Sequence, residues 1–230
     1  MNILITGSSR GIGEYLVEEL IKQGHTVIGC SRTKGSFEHE NYEHFTVDIT
    51  NENTIKCFAK ELRKKYKCID ILINNAGVAS MNHFLLTPME TAKRVMEINY
   101  FGTFNMCRDI SKLMRKSKSA RIINFTTVAV PLNLAGEAAY AASKSAVESL
   151  TKTLSKELSN YNITVNAIGP VPVKTALIAG VPEDKLNELL AQQAIKRFGE
   201  KKDVLNVVEF FIKPQSDFIT GQIIYLGGIN

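Results

Sequence analysis

Asn2-Ile3-Leu4-Ile5-Thr6-Gly7-Ser8-Ser9-Arg10-Gly11-Ile12-Gly13 is the stretch on which the fold turns. Residues 2–6 are apolar and β-branched enough to form a buried strand, and a glycine-rich turn follows at once. The amphipathic pattern at 13–23 then reads as a helix. Gly7, Gly11 and Gly13 stand in the spacing G-x-x-x-G-x-G. Gly7 lets the chain turn out of the strand, while Gly11 and Gly13 allow close approach of backbone to a pyrophosphate and of helix to sheet. The helix N-terminus offers unpaired N–H groups and a positive dipole end to such an anion. Three glycines alone would also suit a plain tight turn.

Working outward, apolar runs alternate with longer amphipathic ones. Strands are expected at 2–6, 26–30, 44–47, 69–73, 121–125, 164–168 and 222–226. Helices are expected at 13–23, 51–65, 88–116, 136–159, 182–193 and 201–212. That alternation implies right-handed crossovers and a parallel sheet covered on both faces. The expectation is an α/β fold of Rossmann type: one doubly wound, seven-stranded parallel sheet with helices on both faces, forming a single domain over residues 1–230. The least regular segment, about 170–198, holds Pro170, Pro172 and Pro182, three of the six prolines. It reads as a lid over a substrate pocket.

Composition narrows the class. At 230 residues and 44% hydrophobic content the chain suits one well-buried domain. No run approaches the ~18 apolar residues of a membrane helix, and no signal peptide is evident at Met1-Asn2, so a cytoplasmic location is expected. Cys30, Cys57, Cys68 and Cys107 form no C-x-x-C, and His25, His39, His44 and His83 form no ligand pattern, so no metal is expected. The net charge of +5 gathers at 63–67 and 115–118, where helices are expected to end. Cations there favour the helix dipole; nucleic-acid binding would need a longer basic face.

Two further places carry chemistry. An acid about twenty residues after the glycine turn would bind the ribose 2′-hydroxyl of NAD. That place reads Cys30-Ser31-Arg32-Thr33. Arg32, helped by Arg10, would instead pair with a 2′-phosphate, which favours NADP(H); the plainer alternative is a solvated loop arginine. Farther on, Tyr140 and Lys144 are four residues apart and share one helix face. An ammonium beside a phenol lowers its pKa and makes it a usable proton donor or acceptor.

Taken in order, T-G-S-S-R-G-I-G at 6–13, Asp48 in V-D-I-T, N-N-A-G at 74–77, Asn99 in M-E-I-N, Y-A-A-S-K at 140–144, N-A-I-G-P at 166–170 and I-T-G-Q at 219–222 resemble the short-chain dehydrogenase/reductase family over essentially the whole chain. The resemblance implies a catalytic set of Asn99, Thr127, Tyr140 and Lys144. It implies cofactor contacts from Gly7, Ser9, Arg10, Gly11, Ile12, Gly13, Ser31, Arg32, Asp48, Ile49, Asn75, Ala76, Gly77, Tyr140, Lys144, Val173 and Thr175. Asp48 would hold the adenine edge, although it could instead cap the next helix. Asn99 would support a water relay, although it could instead satisfy backbone groups in a helix kink. Tyr140 would donate the proton, and Lys144 would bind the nicotinamide ribose and tune Tyr140. Three residues depart from the family pattern: Thr127 replaces a serine, Val171 replaces the glycine after Pro170, and Leu226 replaces an aspartate.

The activity so implied is NADPH-dependent reduction of a carbonyl, in a 3-oxoacyl thioester or small ketone, similar to that of 3-oxoacyl-ACP reductases. The alternatives are an NAD-dependent alcohol or polyol dehydrogenase and a catalytically weak NADP-binding regulatory protein. The partners implied are a small-molecule carbonyl substrate and further copies of the chain, in a homotetramer or homodimer through the 88–116 and 136–159 helices.

Overall fold

A computed structural model describes residues 1–178 and 180–229. Ala179, inside the expected lid, and Asn230, the last residue of the expected domain, lie outside the described residues. Seven strands form one parallel sheet: β1 Asn2–Thr6, β2 Thr26–Ser31, β3 Tyr42–Thr46, β4 Ile71–Asn74, β5 Ala120–Phe125, β6 Ile163–Gly169 and β7 Ile223–Tyr225. Their order is β3-β2-β1-β4-β5-β6-β7, and every pairing is parallel. The sheet reverses its winding between β1 and β4, the point where such folds open a crevice at the carboxyl ends of the strands.

Side-chain alternation along each strand sorts the core into two layers. Leu4, Ile28 and Leu72 face α2 (Glu52–Lys65) and α4 (Gly102–Met114). Ile3, Ile5, Ile71 and Ile73 face α1 (Gly11–Lys22) and the C-terminal helix Lys201–Ile212. The helix stripes match these faces, with Leu16, Val17, Leu20 and Ile21 on α1 and Ile55, Phe58, Ala59 and Leu62 on α2.

Of the two longest expected helices, one is interrupted. The 88–116 stretch is α3 (Met89–Met96), a single π-turn at Glu97–Phe101, and α4. The wide turn holds Asn99, whose side chain is clamped to the end of β4. The expected 136–159 helix is one unbroken helix, α6 (Ala138–Glu157), and a short α5 (Ala129–Leu132) lies ahead of it. Asn133 and Gly136, with φ of 50° and 87°, separate the two in left-handed backbone. Helices α7 (Glu183–Gln192) and α8 (Lys201–Ile212) follow. Among the described residues no helix is long and apolar enough to cross a membrane.

Candidate active site

The glycine turn is built by close approach. Gly7 has φ of 68°, and a Cβ there would sit 2.9 Å from the Ala76 Cα. A Cβ on Gly13 would overlap the Gly7 carbonyl oxygen, so the first turn of α1 rests directly on the turn that feeds it. The Asn75 side-chain amide donates to the carbonyl oxygens of Thr6 (3.0 Å) and Gly7 (3.1 Å), and the Ala76 N–H donates to the Thr6 hydroxyl (3.0 Å). The N-N-A-G stretch thus braces the turn from the β4 side. Arg10, the N-cap of α1, makes no side-chain capping bond. The first N–H groups of α1 are left to face a ligand.

A cleft of about 930 Å³ crosses the strand ends here. It is lined by Gly7, Ser9, Arg10, Gly11, Ile12, Ser31, Arg32, Asp48, Ile49, Asn75, Ala76, Gly77 and Thr175, all expected cofactor contacts. Gly13, a further expected contact, packs against Gly7 and does not line it. Arg94 of α3 also lines it, and no sequence pattern had marked that residue. Asp48 accepts from the backbone N–H (3.0 Å) and hydroxyl (2.8 Å) of Thr50, while Asn51 is the residue that caps α2, accepting from Thr54 at 3.0 Å. The capping alternative for Asp48 therefore falls to Asn51.

Behind Ser31 lies a polar knot that the sequence did not announce. His44 Nε2 is 3.2 Å from the Ser31 hydroxyl, and His44 Nδ1 is 3.0 Å from the Tyr42 hydroxyl, which donates to Ser8 at 3.2 Å. Gly29 makes room for it, since a Cβ there would overlap both the Tyr42 and Ser8 hydroxyls. Burial, and then the Lys34 ammonium, hold His44 below the usual imidazole range.

A second cavity, of about 400 Å³, meets the first. Ile12, Asn75, Gly77, Val78, Ala79, Thr175 and Leu177 line both. Thr127, Tyr140, Lys144 and Val173 line the second, so the structure brings the tyrosine, the lysine and the threonine to one wall. The Lys144 Nζ donates to the Phe125 carbonyl at 2.8 Å. The Thr127 hydroxyl accepts from the Ala129 N–H at 3.2 Å.

The expected tuning of Tyr140 by Lys144 is corrected. Burial, seconded by the Glu137 carboxylate and partly offset by a hydrogen bond from Thr127, pushes the Tyr140 phenol up to about 12. Burial pushes the Lys144 ammonium down to about 8. Burial is the largest cause for each group, because desolvation disfavours the charged form.

Asn99 lines neither cavity. Its amide accepts from the Val78 N–H (2.9 Å), donates to the Val78 carbonyl (2.9 Å) and donates to the Ser143 hydroxyl (3.0 Å). The kink alternative describes that side chain: it pins the β4 exit to the helix that carries Tyr140. Glu148, one turn past Lys144, accepts from the hydroxyls of Thr126 (2.5 Å) and Tyr225 (2.7 Å), tying the residue before Thr127 to β7. Neither Glu148 nor Glu137 belongs to the expected site. A helical face shared with Tyr140 and Lys144 was the one signal available for Glu148.

Val171, in place of glycine, is buried without left-handed backbone. Its two methyls lie over Gly199 and Gly227, where an added Cβ would come within 2.8 Å of each. Leu226 packs with Val128, Val171, Leu189 and Ile229. Across the cavity, Leu177, Ile178, Val181, Leu186 and Leu189 of the 170–198 segment form an apolar wall. Among the described residues no group of three or more His, Cys, Asp or Glu is placed to hold a metal ion.

Comparison with known proteins agrees with this geometry. The family described as enoyl-(acyl carrier protein) reductase matches residues 7–229. A 3-oxoacyl-[acyl-carrier-protein] reductase of Staphylococcus epidermidis is 31% identical over 235 residues, covering 98% of this chain and 96% of that protein. The structure of the ligand-free aldohexose dehydrogenase of Thermoplasma acidophilum superposes with a TM-score of 0.89 at 27% identity, covering 99% of this chain and 93% of that one. The 3-ketoacyl-(acyl-carrier-protein) reductase of Brucella melitensis, complexed with NADH, gives a TM-score of 0.89 at 25% identity, covering 98% and 96%.

Proposed function

This chain belongs to the short-chain dehydrogenase/reductase family, as an NAD(P)-dependent oxidoreductase, and from that premise we propose that it is an NADPH-dependent carbonyl reductase acting on a 3-oxoacyl thioester or small ketone. The nucleotide would lie along the larger cleft, its pyrophosphate on the N–H groups of α1, its 2′-phosphate between Arg10 and Arg32, and its adenine edge against Asp48. The fit rests on the glycine cradle, where Gly13 has no room for a Cβ, and on the uncapped start of α1. Bound NADPH would supply the hydride for the carbonyl carbon.

The chain's own groups handle the oxygen. Thr127 and Tyr140 hydrogen-bond the carbonyl, and Tyr140 gives its proton to the oxygen as negative charge develops there. Lys144 would hold the nicotinamide ribose hydroxyls and offset charge left on the phenol. Asn99 and Glu148 are positioning residues, acting through Val78, Ser143 and Thr126. The segment 170–198 closes over the substrate as a lid, and its apolar wall excludes water. The domain spans 1–230, functions in the cytoplasm and assembles as a homodimer or homotetramer.

The observation that carries the reading is the placement of Thr127, Tyr140 and Lys144 in the smaller cavity, which shares its lining with the glycine-turn cleft. Oxidation of an alcohol with NAD is the second reading, favoured by the likeness to the aldohexose dehydrogenase of Thermoplasma acidophilum. The test is steady-state turnover of a carbonyl panel with NADPH and with NADH. Tyr140→Phe is expected to cut turnover by ~10²–10⁴; near-normal rates in that variant overturn the proton-donor role. NADH used as well as NADPH overturns the role of Arg32.

A further inference from the structure

Glu137 is the residue in the smaller cavity that this mechanism leaves unused. It precedes α6 and lines the cavity together with Thr127, Tyr140 and Lys144. Its backbone serves the helix: the Glu137 carbonyl accepts the Ala141 N–H at 2.7 Å. Its side chain makes no capping bond to α6. Among the described residues no cation or hydrogen-bond donor meets the carboxylate, and burial alone pushes it up to about 7. The other acid lining the cavity, Glu188, is held by Lys185 at 2.8 and 3.0 Å.

The surroundings sharpen the contrast. Val78, Met81, Leu132, Leu134, Val171 and Leu189 line the same space. A carboxylate among such walls is costly unless something donates to it. It sits near enough to Tyr140 to raise the phenol's pKa, hence within reach of groups a few bonds from a carbonyl held there. Among the described residues no protein group donates to this half-buried carboxylate, which leaves it open to a donor on the substrate.

We propose that Glu137 is a specificity-determining residue that accepts a hydrogen bond from a hydroxyl or protonated amine close to the substrate carbonyl, so that the preferred substrate is a small donor-bearing ketone and not a 3-oxoacyl thioester. This rests on the carbonyl-reductase reading above. A carboxylate or phosphate at the same place meets like charge and is rejected. The titratable groups that line the cavity with Glu137 are Tyr140 and Lys144 from α6, where Lys144 donates to the Phe125 carbonyl, and the Lys185–Glu188 pair from α7. Selection for a cationic donor is strongest above about pH 7 and fades below it, as the carboxylate takes up its own proton.

The experiment compares kcat/KM for hydroxyacetone, dimethylaminoacetone, butanone and the acetoacetyl thioester of N-acetylcysteamine, in wild type, Glu137→Gln and Glu137→Leu. Butanone matches hydroxyacetone in size with a methyl for the hydroxyl. The wild type is expected to favour hydroxyacetone over butanone by ~10- to 100-fold, the worth of a hydrogen bond to a charged group. Glu137→Gln keeps a neutral acceptor, so it retains part of the hydroxyl preference and loses the preference for the ammonium. Glu137→Leu loses both. Each ratio is internal to one protein, so a general loss of activity cancels. Wild-type ratios near one, or ratios the same in Glu137→Leu as in wild type, overturn the role of Glu137 while leaving the reductase reading intact. Reduction of none of the four with either cofactor overturns that reading, and this proposal with it.

Discussion

Tyr140 and Lys144 lie one helical turn apart and are driven in opposite directions by the same burial, toward the neutral form of each. For Tyr140 this keeps a transferable proton in place. For Lys144 it is a cost to folding. Its folded pKa, about 8, lies below the ordinary 10.5, so between those values the native chain holds fewer protons than the unfolded one. Stability must then rise with pH across that window, and the full penalty, roughly 3 kcal/mol, applies below it. Lys144→Met removes the penalty and loses the bond to the Phe125 carbonyl, worth about 1 kcal/mol. The variant is expected to be inactive yet ~1–2 kcal/mol more stable at pH 7 by urea unfolding. The wild type should close that gap as pH rises from 8 toward 10. A variant less stable than wild type at pH 7 would refute the account. This tension was not legible in the sequence. The four-residue spacing announced that the groups meet, but which of attraction and desolvation wins depends on walls supplied by distant segments. Glu137 was hidden for a similar reason: an acid just ahead of a helix reads as a favourable dipole partner, and only the folded chain shows it facing a cavity.

At the scale of elements, strand periodicity and the glycine turn were enough to place the sheet, because apolar β-branched runs separated by amphipathic helices leave few other solutions. The expected bounds of β1 and α8 coincide with those found. The π-turn at Glu97–Phe101 was missed, since it leaves the helical periodicity nearly intact, and so was α5, whose four residues are too few to show a period. The departure at Val171 has a structural counterpart of the same kind. Its methyls occupy the volume above Gly199 and Gly227, so three residues from separate segments are matched in size. Gly199→Ala would press a methyl to within 2.8 Å of Val171 Cγ2 and 3.1 Å of Val173 Cγ2. Overpacking of this sort costs ~1–3 kcal/mol. In a Val171→Gly background most of that cost should vanish, with Val173 setting the remainder. A double-mutant cycle in urea measures the coupling; costs that simply add would show that the two side chains do not share this space.

For the molecule as a whole, one apolar face left without a partner is the outer side of α3, α4 and α6. Phe101 and Phe104 are 46% and 36% exposed, and Met89 is 63% exposed. On α6, Ala138, Ala142, Ser145 and Ser149 are exposed and recur with the spacing of one helical stripe. Large rings on one helix and small side chains on its neighbour let two such faces approach closely with ridges entering grooves. A second copy of the chain, turned about a two-fold axis, offers the same surface in return, which a self-complementary interface requires. Light scattering at micromolar concentration is therefore expected to give a mass two or four times the 25.5 kDa of one chain. Replacing Phe101 and Phe104 together by glutamate puts like charges at the seam and should shift the protein to a smaller species while its circular dichroism stays that of an α/β fold. The π-turn that anchors Asn99 carries Phe101, so the smaller species should also lose turnover, with KM for carbonyl rising before folding is compromised. A wild type of single-chain mass with full activity would remove assembly from the account and leave these rings as ordinary exposed surface.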